Sequence, residues 1–314
     1  MDETVRKGPG GLVMATYGAA VLIGGANFLA VRFSNRELDP FWGAGLRFTV
    51  AALLFVIIVL ALRLPWPRGR QLALTMVYGL LGFAISYALM YWALVRVTAG
   101  VATVVLAVVP LVTVLLTAAQ RLEQLKARAL VGSVLALAGI LWMTLGPGEA
   151  VLPLTALLAM LAAALCIGQS VIVSKKVSAN HPAMTNAVGM TAGALTLLGI
   201  SALVGEGWTL PSQPEVVWSV IYLVTVGSVG LFILILLVVR QWTASATSYM
   251  FVLFPVVTML LGAWLADEPI TVHGVIGALL VMAGVWFGAL SPTARGVAAP
   301  VSLEGATPPA LEAG

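Results

Sequence analysis

The sequence predicts an all-α integral membrane protein whose ten transmembrane helices form two inverted five-helix repeats. Three observations predict it. Of 314 residues, 61% are hydrophobic and 9% charged, where an ordinary soluble domain carries roughly a quarter charged residues. A hydrocarbon core about 30 Å thick takes roughly 20 apolar residues per helix, and charges and turn residues cut this chain into ten such stretches. The second half of the chain then partly restates the first.

The stretches are 12–31, 40–62, 72–94, 98–119, 129–146, 153–173, 183–204, 216–239, 243–264 and 274–290. The first lies near the N-terminus, but nine more follow it, so it reads as a retained span rather than a signal peptide. The second starts at Pro40 and carries Arg47, the single charge inside any span. From Val50 to Leu62 it is apolar on every face, as is Leu231 to Val239 in the eighth, which excludes the alternation of a transmembrane barrel. The third follows a turn at Trp66 and Pro67. The fourth and ninth carry Pro110 and Pro255 near their middles. The fifth and tenth begin just after Glu123 and Glu268 and place small residues, Gly132/Gly139 and Gly277/Gly284, on one face. The sixth holds the only cysteine, Cys166, so no internal disulfide forms and no metal-ligand cluster exists. The seventh contains Gly189 and Gly193 in a GxxxG pattern, suited to close helix approach within the chain or across a dimer. The eighth follows the longest external loop, Gly205 to Glu215, where Trp208 is an expected interface anchor.

Loop charge sets the expected orientation. With the N-terminus inside, the cytoplasmic set is Arg6, Lys7, Arg63, Arg68, Arg70, Arg121, Lys126, Arg128, Lys175, Lys176, Arg240 and Arg295, against only Arg32, Arg36 and Arg96 outside. That bias predicts both termini in the cytoplasm of a cell-membrane protein. The domains expected are a first repeat at 12–146, a second at 153–290, and a Pro-, Gly- and Ala-rich tail at 291–314, disordered and cytoplasmic. The formal net charge of +4 follows from basic cytoplasmic loops and gives no reason to propose nucleic acid.

A shift of 145 positions superposes the fourth and fifth spans on the ninth and tenth without a gap. The costly identities are Pro110/Pro255, Glu123/Glu268, Gly132/Gly277 and Gly139/Gly284. A shift of 142 pairs Pro40 with Pro182 and Asn27 with Gln169 more weakly. Five spans per half is an odd number, so the second half enters the membrane from the opposite face. Inverted halves are a transporter device, because they can exchange conformations and expose one central site to each side in turn.

The stretches GGANFLAVRF and DPFWGAGLRF, with the paired blocks TAGVATVVLAVVPLVTVLLTAAQRLEQLKARALVGSVLALAGI and TASATSYMFVLFPVVTMLLGAWLADEPITVHGVIGALLVMAGV, resemble the drug/metabolite transporter superfamily, specifically its ten-helix EamA-type branch with two repeated domains. The resemblance implies that family's fold, a cavity between the halves, and export or exchange of small metabolites or drugs.

Candidate residues follow from chemistry and position. A mid-helix proline frees a carbonyl one turn earlier, which makes Pro110 and Pro255 candidate hinges, or static kinks. Glu123 and Glu268, on opposite faces, suit helix-cap or gate carboxylates at the positive ends of the fifth and tenth helices. Arg47 is either an anchor that snorkels or a contact for a substrate carboxylate. Asp267 reads as loop solvation, and His181 and His273 as surface groups. Mid-helix polar and aromatic residues on spans expected around a cavity are Asn27, Tyr78, Ser86, Tyr87, Tyr91, Gln169, Ser170, Ser228, Ser248 and Tyr249. Such a neutral lining suits a zwitterionic or weakly polar solute.

No cofactor and no metal are expected. The partners are a small-molecule substrate and the lipid bilayer, with the chain a monomer or homodimer. A nucleotide-driven pump lacks its GxxxxGK[ST] loop, and an enzyme lacks a convergent set of nucleophile, base or metal ligands. The reading is a secondary transporter of amino-acid-like or other weakly polar metabolites, by export or exchange. Efflux of multiple or cationic drugs is the alternative, and a channel or a non-transport structural protein stands as the alternative of another class.

Overall fold

Lipid tails offer the backbone no hydrogen-bond partner, so each apolar stretch must satisfy its own N–H and C=O groups, which a helix does. A computed structural model describes residues 11–122, 127–144, 153–241, 247–248 and 250–287, and among these residues the chain is helical with no β-strand. The helices are α1 Gly11–Ser34, α2 Pro40–Ala61, α3 Gly69–Leu94, α4 Ala99–Ala119, α5 Ala127–Thr144, α6 Leu154–Lys176, α7 Pro182–Val204, α8 Pro214–Gln241, α9 Met250–Leu265 and α10 Val272–Val285. Seven are long and apolar enough to cross a membrane, while Leu130–Trp142 of α5, α9 and α10 are shorter apolar helices.

Local chemistry explains the ends. Proline opens α2, α7 and α8, where its missing N–H has no partner to lose. Thr98 and Thr271 accept hydrogen bonds from Val101 N and Gly274 N, which caps α4 and α10. His181 caps α7 by accepting from Ala183 N. The αL residue that stops α7 is Gly205, φ +75°.

Three helices are irregular where the apolar pattern gives no signal. α3 widens into a π-turn at Leu80–Ile85 and α8 into another at Thr225–Gly230. The two turns are separated by the same 145 residues as the sequence repeat. α4 breaks at Ala107–Val108, just before Pro110, whereas Pro255 sits inside an unbroken α9. The paired prolines therefore occupy different backbones in the two halves.

The packing is pseudo-symmetric. α2 lies along α7 and α5 along α10, each beside its own repeat counterpart; α1 meets α9 and α8, as α6 meets α4 and α3. Glycine permits the tightest crossings: a Cβ at Gly79 of α3 would lie 2.3 Å from Gly189 O of α7, and one at Gly139 of α5 would lie 2.8 Å from Gly277 O of α10. Gly189 and Gly193 thus serve contacts to Tyr78, Phe83 and Ala84 within the chain. Phe48, Phe55, Phe83, Tyr91 and Leu197 are fully enclosed, while Leu53, Ile57, Leu60, Leu195, Leu203 and Leu260 face outward, the apolar skin that lipid solvates.

Candidate functional site: a cavity between the two repeats

A cavity of about 80 Å³ lies where the halves meet, room for several waters at roughly 10–15 Å³ each. The first half lines it with Gly24, Asn27, Phe28 and Val31 of α1, Arg47 of α2, and Tyr78, Gly82, Phe83, Tyr87 and Met90 of α3. The second half adds Ile167, Ser170, Val171 and Ser174 of α6, Leu231, Phe232, Ile235, Leu236 and Val239 of α8, and Thr247, Ser248, Met250, Phe251 and Phe254 at and before α9. Phe83 anchors an aromatic cluster, with ring centroids 4.7 Å from Phe232 and 5.3 Å from Phe48.

Arg47 is the charge in this wall. It is 1% exposed, so it does not snorkel to water as an arginine near a helix end often does. Its Nε donates to Ser228 Oγ (2.8 Å), its Nη2 to Gly227 O (2.8 Å) and its Nη1 to Tyr91 OH (3.4 Å). The wide turn of α8 makes this geometry available, because Gly227 O also accepts from Asn27 Nδ2 at 3.0 Å. A Cβ at 227 would lie 2.2 Å from Asn27 Oδ1 and would displace that side chain. The rings of Phe48 and Tyr87 lie 5.1 and 5.2 Å from the guanidinium carbon; each cation–π contact contributes up to about 2 kcal/mol when desolvated. Arg47 therefore ties α2 of one half to α8 of the other through neutral partners.

Beyond Arg47 the cavity is sealed on the face bearing the α1–α2, α7–α8 and α9–α10 loops. Of the carboxylates that cross between halves, three reach a helix N-terminus, where orphan N–H groups and the dipole favour an anion. Glu206 accepts from Phe41 N (3.1 Å) and Trp42 N (2.6 Å) at the start of α2. Glu37 accepts from Ser212 N (2.9 Å), Gln213 N (3.1 Å) and Ser212 Oγ ahead of α8. Glu268 accepts from Ala99 N (3.2 Å) and Gly100 N (3.5 Å) at α4 and pairs with Arg32 at 2.9 Å. The Ser212 hydroxyl first, and the backbone N–H groups of Ser212 and Gln213 after it, hold the Glu37 carboxyl below its ordinary value. Asp39 accepts from Gly207 N, Arg36 pairs with Glu215 at 2.8 Å, and Trp42 stacks on Trp208 with centroids 5.0 Å apart. Toward the opposite face the cavity extends as far as Ser174, Val239 and Thr247.

The sequence candidates divide accordingly. Asn27, Arg47, Tyr78, Tyr87, Ser170 and Ser248 line the cavity. Ser228 and Tyr91 stand behind it as partners of Arg47. Ser86 is fully buried and donates to Gly82 O of its own helix, and Gln169 accepts from Gln120 Nε2 at 2.7 Å. Glu268 caps α4 rather than the tenth helix it precedes, because Thr271 already caps α10. Trp208 stacks in the sealed face, its Nε1 donating to Ser201 Oγ. Glu123, Tyr249 and the tail 291–314 lie outside the described residues. The aromatic wall of Phe28, Phe83, Phe232, Phe251 and Phe254, and the Gly227 carbonyl, were not candidates from sequence; the glycines Gly82 and Gly227 at the repeat spacing were the available signal.

A sequence profile of the EamA-like transporter family matches residues 11–145 and again 154–289. The chain is 31% identical over 258 residues to an uncharacterized inner membrane transporter, YedA, of Escherichia coli, covering 81% of this chain and 82% of that one. It is 27% identical over 269 residues to an uncharacterized transporter of Archaeoglobus fulgidus (83% and 93% covered). It is also 27% identical over 252 residues to a probable terminal-alkyne amino-acid exporter of Streptantibioticus cattleyicolor (79% and 84%). A solved crystal structure superposes with a TM-score of 0.66 at 18% identity, covering 89% of this chain and 98% of that one; at that identity the likeness concerns the fold.

Proposed function

This chain belongs to the EamA-like transporter family of the drug/metabolite transporter superfamily and is a multi-pass membrane transporter, not an enzyme; from that premise we propose that it is a secondary carrier exporting or exchanging small amino-acid-like metabolites by alternating access. The observation that carries the proposal is the cavity built from three helices of each repeat and sealed on one face by carboxylates that cross between the repeats. A device of that kind opens when the halves rock apart, and the inverted repeats supply a second arrangement of similar energy.

The basic loops predict that both termini are cytoplasmic, which makes the sealed face external and directs the cavity toward cytoplasmic solute, as export requires. The exporter named among the relatives supports an amino-acid-like cargo. Cationic drug efflux is disfavoured because the charge in the cavity wall is an arginine. The test is counterflow: purified protein in liposomes preloaded with unlabelled amino acids should accumulate the labelled solute saturably without an imposed gradient. Flux that neither saturates nor responds to solute on the far side would mark a channel and remove the carrier reading.

A further inference from the structure

We propose that the group this cavity recognises is a carboxylate, bound by Arg47, and that an amine on the substrate is dispensable. The inference rests on the carrier reading and narrows its cargo to small carboxylates with an apolar body.

A guanidinium carries five N–H groups and stays charged. Arg47 gives three of them to neutral acceptors, one at a long 3.4 Å, and among the described residues no carboxylate pairs with it. None is available locally. The chain has no Asp or Glu between Glu3 and Glu37, Asp39 and Glu123, Glu149 and Glu206, or Glu215 and Asp267, intervals that contain every cavity-lining residue. A buried charge kept without a counter-ion at the wall of a cavity is stabilised by an anion arriving from solution, and a planar carboxylate matches the guanidinium fork.

The remaining wall suits an apolar body rather than a second charge. Phe28, Phe83, Phe232 and Phe254 face the space, and such walls strengthen a charge pair by excluding water. No acidic side chain lines the cavity to pair with an ammonium, which would meet only neutral oxygens and aromatic rings. The Ser170 and Ser174 hydroxyls donate to Ile167 O and Val171 O of their own helix. Asn27 Oδ1 is buried without a partner, but it packs against Gly227 and not toward open space.

The probes are leucine, its deaminated acid 4-methylpentanoate, the amide 4-methylpentanamide, and the decarboxylated amine 3-methylbutylamine. The readout is the ligand-induced rise in Tm of the purified full-length protein. Leucine and 4-methylpentanoate should both raise Tm saturably, while the amide and amine bind at least on the order of tenfold more weakly, as expected when a hydrogen bond to a charged group is lost. Arg47→Gln should abolish the preference for acid over amide, and Arg47→Lys should retain it with weaker binding. The acid-against-amide comparison in the unmodified protein needs no variant, so it decides even if Arg47→Gln fails to fold. Equal binding of the amine, no response to either acid, or an acid preference that survives Arg47→Gln would each overturn the assignment. Counterflow of the same four solutes separates this inference from its premise. Saturable counterflow without carboxylate preference keeps the carrier and removes the role of Arg47, whereas acid binding with no counterflow keeps that role and removes the carrier.

Discussion

Replacing Glu268 by alanine removes two different contacts from the sealed face, and their sizes can be worked out separately. The pair with Arg32 is 2.9 Å long, with the arginine side chain 37% exposed and the glutamate 12% exposed, so water screens it and about 0.5–1 kcal/mol is lost. The N–H groups of Ala99 and Gly100 lose their acceptor, comparable to losing an N-cap at about 1 kcal/mol, although Thr98 still caps Val101. Together they give about 2 kcal/mol, which shifts the balance between sealed and open states by roughly thirtyfold. Glu268→Gln keeps the acceptor for α4 and loses mainly the ion pair, so a shift of only about two- to fivefold is expected. Cys166 is the sole cysteine, so a Cys166→Ala background permits a single reporter at Ser34, which is 1% exposed beneath the seal. The rate at which an impermeant maleimide added from that face labels Ser34→Cys should rise about thirtyfold with Glu268→Ala and a few-fold with Glu268→Gln. Equal rates in all three folded proteins would refute the assignment of Glu268 to the seal.

The same reporter reads pH. The carboxyl of half-buried Glu37 is depressed below the ordinary 4.5; a depressed acid contributes fully above its ordinary value and loses that contribution as pH falls through the folded one, so labelling, taken relative to a solvent-exposed cysteine at the same pH to cancel the thiolate fraction, should accelerate below about pH 4.5 and stay flat from there to neutrality. Gly79→Ala places a Cβ 2.3 Å from the Gly189 carbonyl, whereas a Cβ at Gly199 meets nothing within 4 Å; the first should cost about 1–3 kcal/mol through overpacking, read as a lower Tm in detergent, and Gly199→Ala should leave Tm unchanged or slightly raised. Pro110→Ala restores an N–H able to donate to Leu106 O across the break in α4, so counterflow should slow while Tm holds or rises; a loss of folded protein with unchanged turnover per molecule would make the break a static kink.

How much of this was legible in the sequence depended on the kind of signal. Ten helices in two repeats followed from apolar length and from the pairs Pro110/Pro255 and Gly139/Gly284, because lipid forces helix and close crossings force small residues. Arg47 was conspicuous as a lone intramembrane charge, yet its partners Ser228 and Gly227 lie 180 residues or more away, and no local pattern encodes which turn of α8 faces it. The π-turns were invisible because Leu80–Ile85 and Thr225–Gly230 differ from α-helix by one residue per turn and not by polarity. Glu268 was found as a carboxylate beside a helix start, but the helix it caps is set by tertiary placement, with Thr271 taking the local position. The phenylalanines of the cavity were hidden among lipid-facing ones, since a membrane protein uses the same side chains inside and outside.

Access to one cavity from either side in turn can be read with a single cysteine at Ser170, a cavity residue, in the Cys166→Ala background. Impermeant maleimide would be applied to right-side-out and inside-out vesicles with and without 4-methylpentanoate. Labelling is expected from both faces, with Glu268→Ala increasing the rate from the sealed face at the expense of the other. Labelling confined to one face in the unmodified protein and in Glu268→Ala alike, with or without the acid, would contradict it.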